Sequence, residues 1–136
     1  MPKLDALGIT ILRVTIGIVF AAHGGRNLFV LHFAGVAQNF AVLGLPRPDI
    51  CAVGVTLLEF IGGLMLILGL FSRWPALLLA AEMLPAIFFA HLRHGFVSPN
   101  GFEYPLTLLA ANLALAFNGP GWAALDSKLK PERIFR

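Results

Sequence analysis

Charge and cysteine are what this chain has least of. Only 12% of its 136 residues are Asp, Glu, Lys or Arg, roughly half the share of an ordinary soluble domain. The single cysteine, Cys51, excludes an intrachain disulfide, a CxxC redox pair and a cysteine-based metal site. It reads as a small apolar residue at a helix start. The formal net charge of +3 is not gathered into a continuous basic face, which argues against nucleic-acid binding. A phosphate cradle is also missing. Gly119-Pro120-Gly121 is followed by Trp122 and Asp126 rather than by a helix start carrying Lys, so it reads as a helix stop.

What fills the chain instead is apolar: 58% of residues are hydrophobic, concentrated in long blocks. A soluble domain of this size cannot hide that much apolar surface. A bilayer, acting as the solvent, removes the difficulty. A spanning helix needs roughly 20 mostly apolar residues. The sequence offers one from about Leu7 to Ala22, extendable to Phe29, a second from Ile50 to Phe71, a third from Trp74 to Leu92, and a short fourth from Tyr104 to Phe117. Lys3 ahead of the first block resembles a signal peptide. Because further spans and no soluble domain follow it, we expect that segment to be retained.

The longest connection, His23 to Asp49, contains the apolar stretch Leu31–Leu43, closed by Gly44 and Pro46. About 13 residues cannot cross the core, so an interfacial or re-entrant helix is expected there. The sequence therefore predicts an all-α membrane protein, a single domain over residues 1–136. Its architecture is an up-down bundle of four transmembrane helices with an extra interfacial or re-entrant helix between the first and second spans. Lys3, Arg73, Lys128, Lys130, Arg133 and Arg136 fall on one side; Arg26, Arg47 and Arg93 fall on the other. That bias predicts a bacterial cytoplasmic (inner) membrane protein with both termini cytoplasmic, and Trp74 and Trp122 at the cytoplasmic interface.

Four polar residues lie inside the apolar blocks. From the helical rise, Arg13 is about 16 Å deep, Glu59 about 14 Å, Glu82 about 15 Å and Asn112 about 12 Å, near the middle of a roughly 30 Å core. An Arg between two carboxylates suits a bidentate buried network. Two glutamates against one arginine leave an excess negative charge, to be met by a proton or another cation. The plainer reading is that such a network only fixes helix register, and Arg13 can also snorkel away to the cytoplasmic side. A second polar group, His23, Arg26, His91, His94 and Glu103 with Arg93, gathers at the opposite helix ends. His91 and His94 share a helix face. Histidines beside a carboxylate suit proton relay at physiological pH; ordinary interfacial polarity is the plainer reading and is favoured over haem iron or a metal, and no metal is expected. His32 has no obvious partner.

The residues that carry a family resemblance run along nearly the whole chain. They are Leu12-Arg13, Gly17 and His23-Gly24; Gly44-Leu45-Pro46; Glu59 with Gly62-Gly63; Gly69-Leu70 and Arg73; Glu82-Met83, His91 and Gly95-Phe96; and Gly101, Glu103, Pro105, Gly119-Pro120-Gly121 and Asp126. In order and spacing the chain resembles the DoxX family of small membrane proteins. It departs from the family pattern at Asn27, where a Lys is usual and where Arg26 is the adjacent charge. The resemblance implies a four-helix membrane protein linked to redox biology, with relatives in an archaeal thiosulfate:quinone oxidoreductase and in thiol and oxidative-stress systems.

Two functions follow. In one, the bundle holds a quinone or similar amphipathic ligand, with ionisable groups beside the ring because quinone chemistry moves protons with electrons. Lacking a cysteine pair or a recognisable flavin site, it then needs a redox protein partner or a bound haem; neither quinone nor haem is required by the sequence. In the other, it is a non-catalytic assembly partner, small-solute carrier or lipid-binding scaffold, as a homo-oligomer or with partners in the lipid bilayer.

Overall fold

A computed structural model describes residues 3–97 and 99–128. Helix α1 spans Leu4–Arg26 and is continued by a π-helical turn, Asn27–Leu31. At His32 the backbone takes φ 60° and ψ 167°, which breaks the helix axis and starts α2, His32–Val42. Helix α3 runs from Pro48 to Leu68, α4 from Arg73 to Pro85 and α5 from Glu103 to Asn118. Among the described residues there is no strand.

Sequence chemistry sets these ends. Pro48 occupies the first turn of α3, where its missing N–H costs nothing. Gly69, at φ 70°, closes α3 with paired bonds from Gly69 N to Leu66 O and from Leu70 N to Met65 O, a left-handed cap that favours glycine. Pro85 cannot donate to the α4 ladder, and the helix widens immediately afterwards into a π turn, Ala86–His91, and a short 3-10 turn, Leu92–His94.

Three helical stretches among the described residues are long and apolar enough to cross a membrane: Leu4–Val42, Pro48–Leu68 and Arg73–His94. At 16 residues, α5 is about 24 Å long, short of the roughly 30 Å core. The outer surface is as apolar as the inside: Leu4, Val42, Phe88 and Phe117 are all largely exposed. Lipid contact accounts for that surface, and close packing must then hold the helices together.

That packing is tightest between α1 and α3, which run antiparallel. A Cβ on Gly17 would lie 2.8 Å from Gly63 O and Ile67 N, and one on Gly63 would lie 2.8 Å from Ala21 Cα. The backbones therefore approach as only glycine permits. Ile16, Phe20, Leu66, Leu79, Met83, Leu108 and Leu115, from α1, α3, α4 and α5, form the enclosed core. Helix α2 packs back on α3, and Val36 is its buried residue.

Candidate functional site

At one end of the bundle the segment after α5 folds in against α1. Arg13, only 1% exposed, donates to the carbonyls of Pro120, Trp122 and Ala123. Thr10 Oγ1 accepts from Trp122 N at 2.6 Å. Asp126, equally enclosed, accepts from Phe71 N at 2.5 Å and Ser72 N at 3.1 Å. It thereby caps the start of α4 from across the chain, where a carboxylate also meets the positive end of the helix dipole. Phe71 and Ala123 both hold positive φ, at 49° and 53°, in a region costly for side chains of their size. Arg13 and Asp126 supply the contacts that keep that backbone in place.

Toward the other end lies a cavity of about 290 Å³, lined by His23, Asn27, Phe40, Leu43, Leu45, Cys51, Val55, Glu59, Glu82, Met83, Pro85, Ala86, Phe89, Ala90 and His91. A smaller lobe of about 160 Å³ shares His23, Glu59, Met83, Ala86 and His91 and adds Phe20, Tyr104, Pro105 and Leu108. The end of α2, α3, α4 with its π turn, and the junction of α1 with its π turn form the walls. Both π segments thus carry cavity residues, Asn27 in one and Phe89 and His91 in the other. Such bulges re-aim side chains that a regular helix would point elsewhere.

Most of the wall is hydrocarbon, and the polar groups are few. The carboxyls of Glu59 and Glu82 lie within hydrogen-bonding reach of each other. Both oxygens of Glu82 are enclosed and face no protein donor. These statements agree once the chemistry is considered: two carboxylates are both acceptors, and only a shared proton joins them. His23 Nε2 lies 3.2 Å from the Tyr104 hydroxyl. His91 Nδ1 lies 2.9 Å from the Asn100 carbonyl oxygen, and the Cys51 thiol donates to Pro46 O at 3.3 Å.

The arrangement corrects the expected midplane network. Glu59 and Glu82 do come together, but Arg13 is not with them; its guanidinium is committed to the segment around Pro120–Ala123. Side chains on a helix lean toward its N-terminus. Arg13 therefore leans toward the start of α1, whereas Glu59 on antiparallel α3 leans the opposite way. Asn112 is fully enclosed, but its Nδ2 donates to Leu108 O at 2.9 Å within its own helix and not to either glutamate.

The second expected group divides. His23 and His91 line the cavity. Arg26, His94 and Glu103 are exposed and do not line either lobe. Glu103 sits in the first turn of α5, where its charge is favoured by the helix dipole, while Pro105 and Leu108 turn inward. Its neighbour Tyr104 takes the place at the cavity that was expected of Glu103. Among the described residues no group of three His, Cys, Asp or Glu side chains is placed to hold a metal ion. Of the basic residues used to orient the chain, Lys130, Arg133 and Arg136 lie outside the described residues.

Tyr104, Asn27 and Cys51 were not singled out as site residues from the sequence. Tyr104 is the chain's single tyrosine, and a lone phenol at the start of an apolar helix was a usable signal. Asn27 and Cys51 reach the cavity through the π turn and the return of α2, which no local pattern announces.

The DoxX family model matches residues 8–92. CatD of Bacillus subtilis (strain 168), provisionally named an oxidoreductase, is 33% identical over 126 residues, 93% of this chain and 90% of that protein. The inner membrane protein YqjF of Escherichia coli (strain K12) is 32% identical over 130 residues, covering 95% of this chain and 97% of the relative. The inner membrane protein YphA of the same strain is 28% identical over 126 residues, 88% and 89% of the two chains. No solved structure matches the chain.

Proposed function

The chain belongs to the DoxX family of membrane proteins, and on that premise we propose that it binds a small amphipathic redox ligand of the quinone class between its helices. The observation that carries this reading is the cavity itself. One apolar-walled space of about 290 Å³ draws His23, Glu59, Glu82 and His91 from three helical segments. Pockets with mostly apolar linings and a few convergent polar groups are the usual form of small-ligand sites. A quinone-type ligand supplies redox chemistry that couples electrons to protons, and acid–base groups beside its ring are what that chemistry needs. The apolar wall seats the ring, Glu59 and Glu82 hold protons at its edge, and Tyr104 fixes the ring of His23. The provisional oxidoreductase name of CatD is consistent with a redox role. The electrons come from a partner protein in this reading.

In the membrane we place four spans, with α5 as a short fourth and α2 as an interfacial or re-entrant element that closes the cavity. The membrane is a bacterial inner membrane, as the names of YqjF and YphA support, and the bias of basic residues is the ground for placing both termini on its cytoplasmic side. The direct test is to purify the protein in mild detergent, extract the bound material, and analyse it by mass spectrometry and absorbance. A quinone near one per chain is expected. Structural lipid alone would overturn the redox reading in favour of a scaffold or carrier.

A further inference from the structure

The cavity offers hydrogen-bond acceptors and has few donors to spare. Glu59 lines both lobes, and Glu82 lines the larger one, with two enclosed oxygens that meet no protein donor. A proton shared by the pair satisfies one oxygen of each and leaves the others open. His91 adds a third acceptor. Its Nδ1 sits against the Asn100 carbonyl, which can only accept, so Nδ1 carries the hydrogen. The neutral ring then offers Nε2 as an acceptor. The Cys51 thiol is spent on Pro46 O; the His23–Tyr104 contact uses one of that pair's two polar hydrogens and leaves the other as a donor. Asn27 is the remaining amide donor on the wall.

A quinone presents two carbonyl acceptors, which would face acceptors here. Its reduced partner presents two hydroxyl donors on the same ring. We propose that the cavity selects the diphenol form of an aromatic redox carrier over the quinone, with Glu59 accepting the hydrogen bond from a ring hydroxyl. This rests on the quinone-class reading above and adds which redox form the site prefers. Buried polar groups left unpaired penalise a ligand that cannot complete them, so the preference is set by the wall and not by ring size.

The test is calorimetric titration of the purified protein in detergent under argon, with empty micelles as baseline. The probes are 2-methyl-1,4-naphthoquinone, its diphenol, and the dimethyl ether of that diphenol, which keeps the ring and loses the polar hydrogens. The diphenol is expected to bind at least about tenfold tighter than either other probe, the ratio for one hydrogen bond to a charged acceptor. Glu59→Gln, whose carboxamide both donates and accepts, should shrink the ratio to less than about threefold. Equal binding of diphenol and quinone by the unaltered protein overturns the inference and leaves the ligand site standing. Failure of all three probes to bind overturns both. If Glu59→Gln does not fold, the comparison of diphenol with its ether in the unaltered protein decides alone. Tight binding of a lipophilic quaternary ammonium would also overturn the inference, since charge without polar hydrogens would then suffice.

Discussion

Replacing Arg13 by Leu should damage this protein more than replacing either buried glutamate by Gln. Arg13 is enclosed and donates to three carbonyls, those of Pro120, Trp122 and Ala123. Leu fills much of the space but donates nothing. The three carbonyls lose a charged donor, and the enclosed Asp126 carboxylate loses a cation that interacts with it. Removing one partner from a buried charged arrangement costs about 3–5 kcal/mol. Summing three charge-assisted bonds at about 1.5–3 kcal/mol each would overshoot, because the bonds share one side chain and the carbonyls relax together. For a chain of this size the expected loss is on the order of 10 °C in melting temperature. Glu59→Gln and Glu82→Gln keep side-chain volume and bring an amide donor to a pair otherwise joined only by a shared proton, so their melting temperatures should stay near or above the unaltered value. Thermal unfolding of the purified variants in one detergent is the assay. Arg13→Leu melting with the unaltered protein while the glutamine variants collapse would refute the division into a structural end and a ligand end.

Other perturbations probe the same division. Asp126→Ala removes the acceptor for Phe71 N and Ser72 N and should cost about 1–2 kcal/mol in unfolding, as loss of a helix cap does; an unchanged stability would mean the cap is not formed. Gly63→Ala puts a methyl 2.8 Å from Ala21 Cα and Gly17 O, and the strain of forcing α1 from α3 should cost about 1–3 kcal/mol, read as a lower melting temperature. Tyr104→Phe removes the hydroxyl that holds His23 and should weaken diphenol binding in the calorimeter without changing thermal stability by more than about 1 kcal/mol. A cysteine placed at Lys128 in a Cys51→Ala background should resist an impermeant thiol reagent in intact cells, and rapid labelling from outside would reverse the topology.

Much of the fold was legible because a membrane simplifies the rules. Helix length and apolarity alone locate α1, α3 and α4, and Gly119-Pro120-Gly121 ends α5 at Asn118 as its composition demands. Two features were not legible. The π turns at Asn27–Leu31 and Ala86–His91 shift side-chain direction without leaving an apolar period of their own; Pro85 hints at the second and nothing hints at the first. The role of Asp126 depends on contact between residues 54 and 55 positions apart, which local patterning does not encode.

The candidate site shows why depth was a good guide to one pair and a poor guide to another. Counting the helical rise places Arg13, Glu59 and Glu82 at similar levels, and the two glutamates do meet. For Arg13 the count locates only its Cα. A long side chain adds several ångströms along the direction set by its helix, toward the N-terminus, and that vector carries the guanidinium to the segment after α5. The glutamates are then left without an arginine, in a cavity whose other polar groups are largely engaged or accepting. A buried charge arrangement of this kind is poorly suited to a purely structural task, since a hydrophobic pair of similar volume would stabilise the helices at least as well. The charge that does stabilise, at Arg13, has both terminal nitrogens bonded to protein carbonyls. The charge at Glu59 and Glu82 has bonds left open, and open bonds at the wall of a cavity are what a ligand completes.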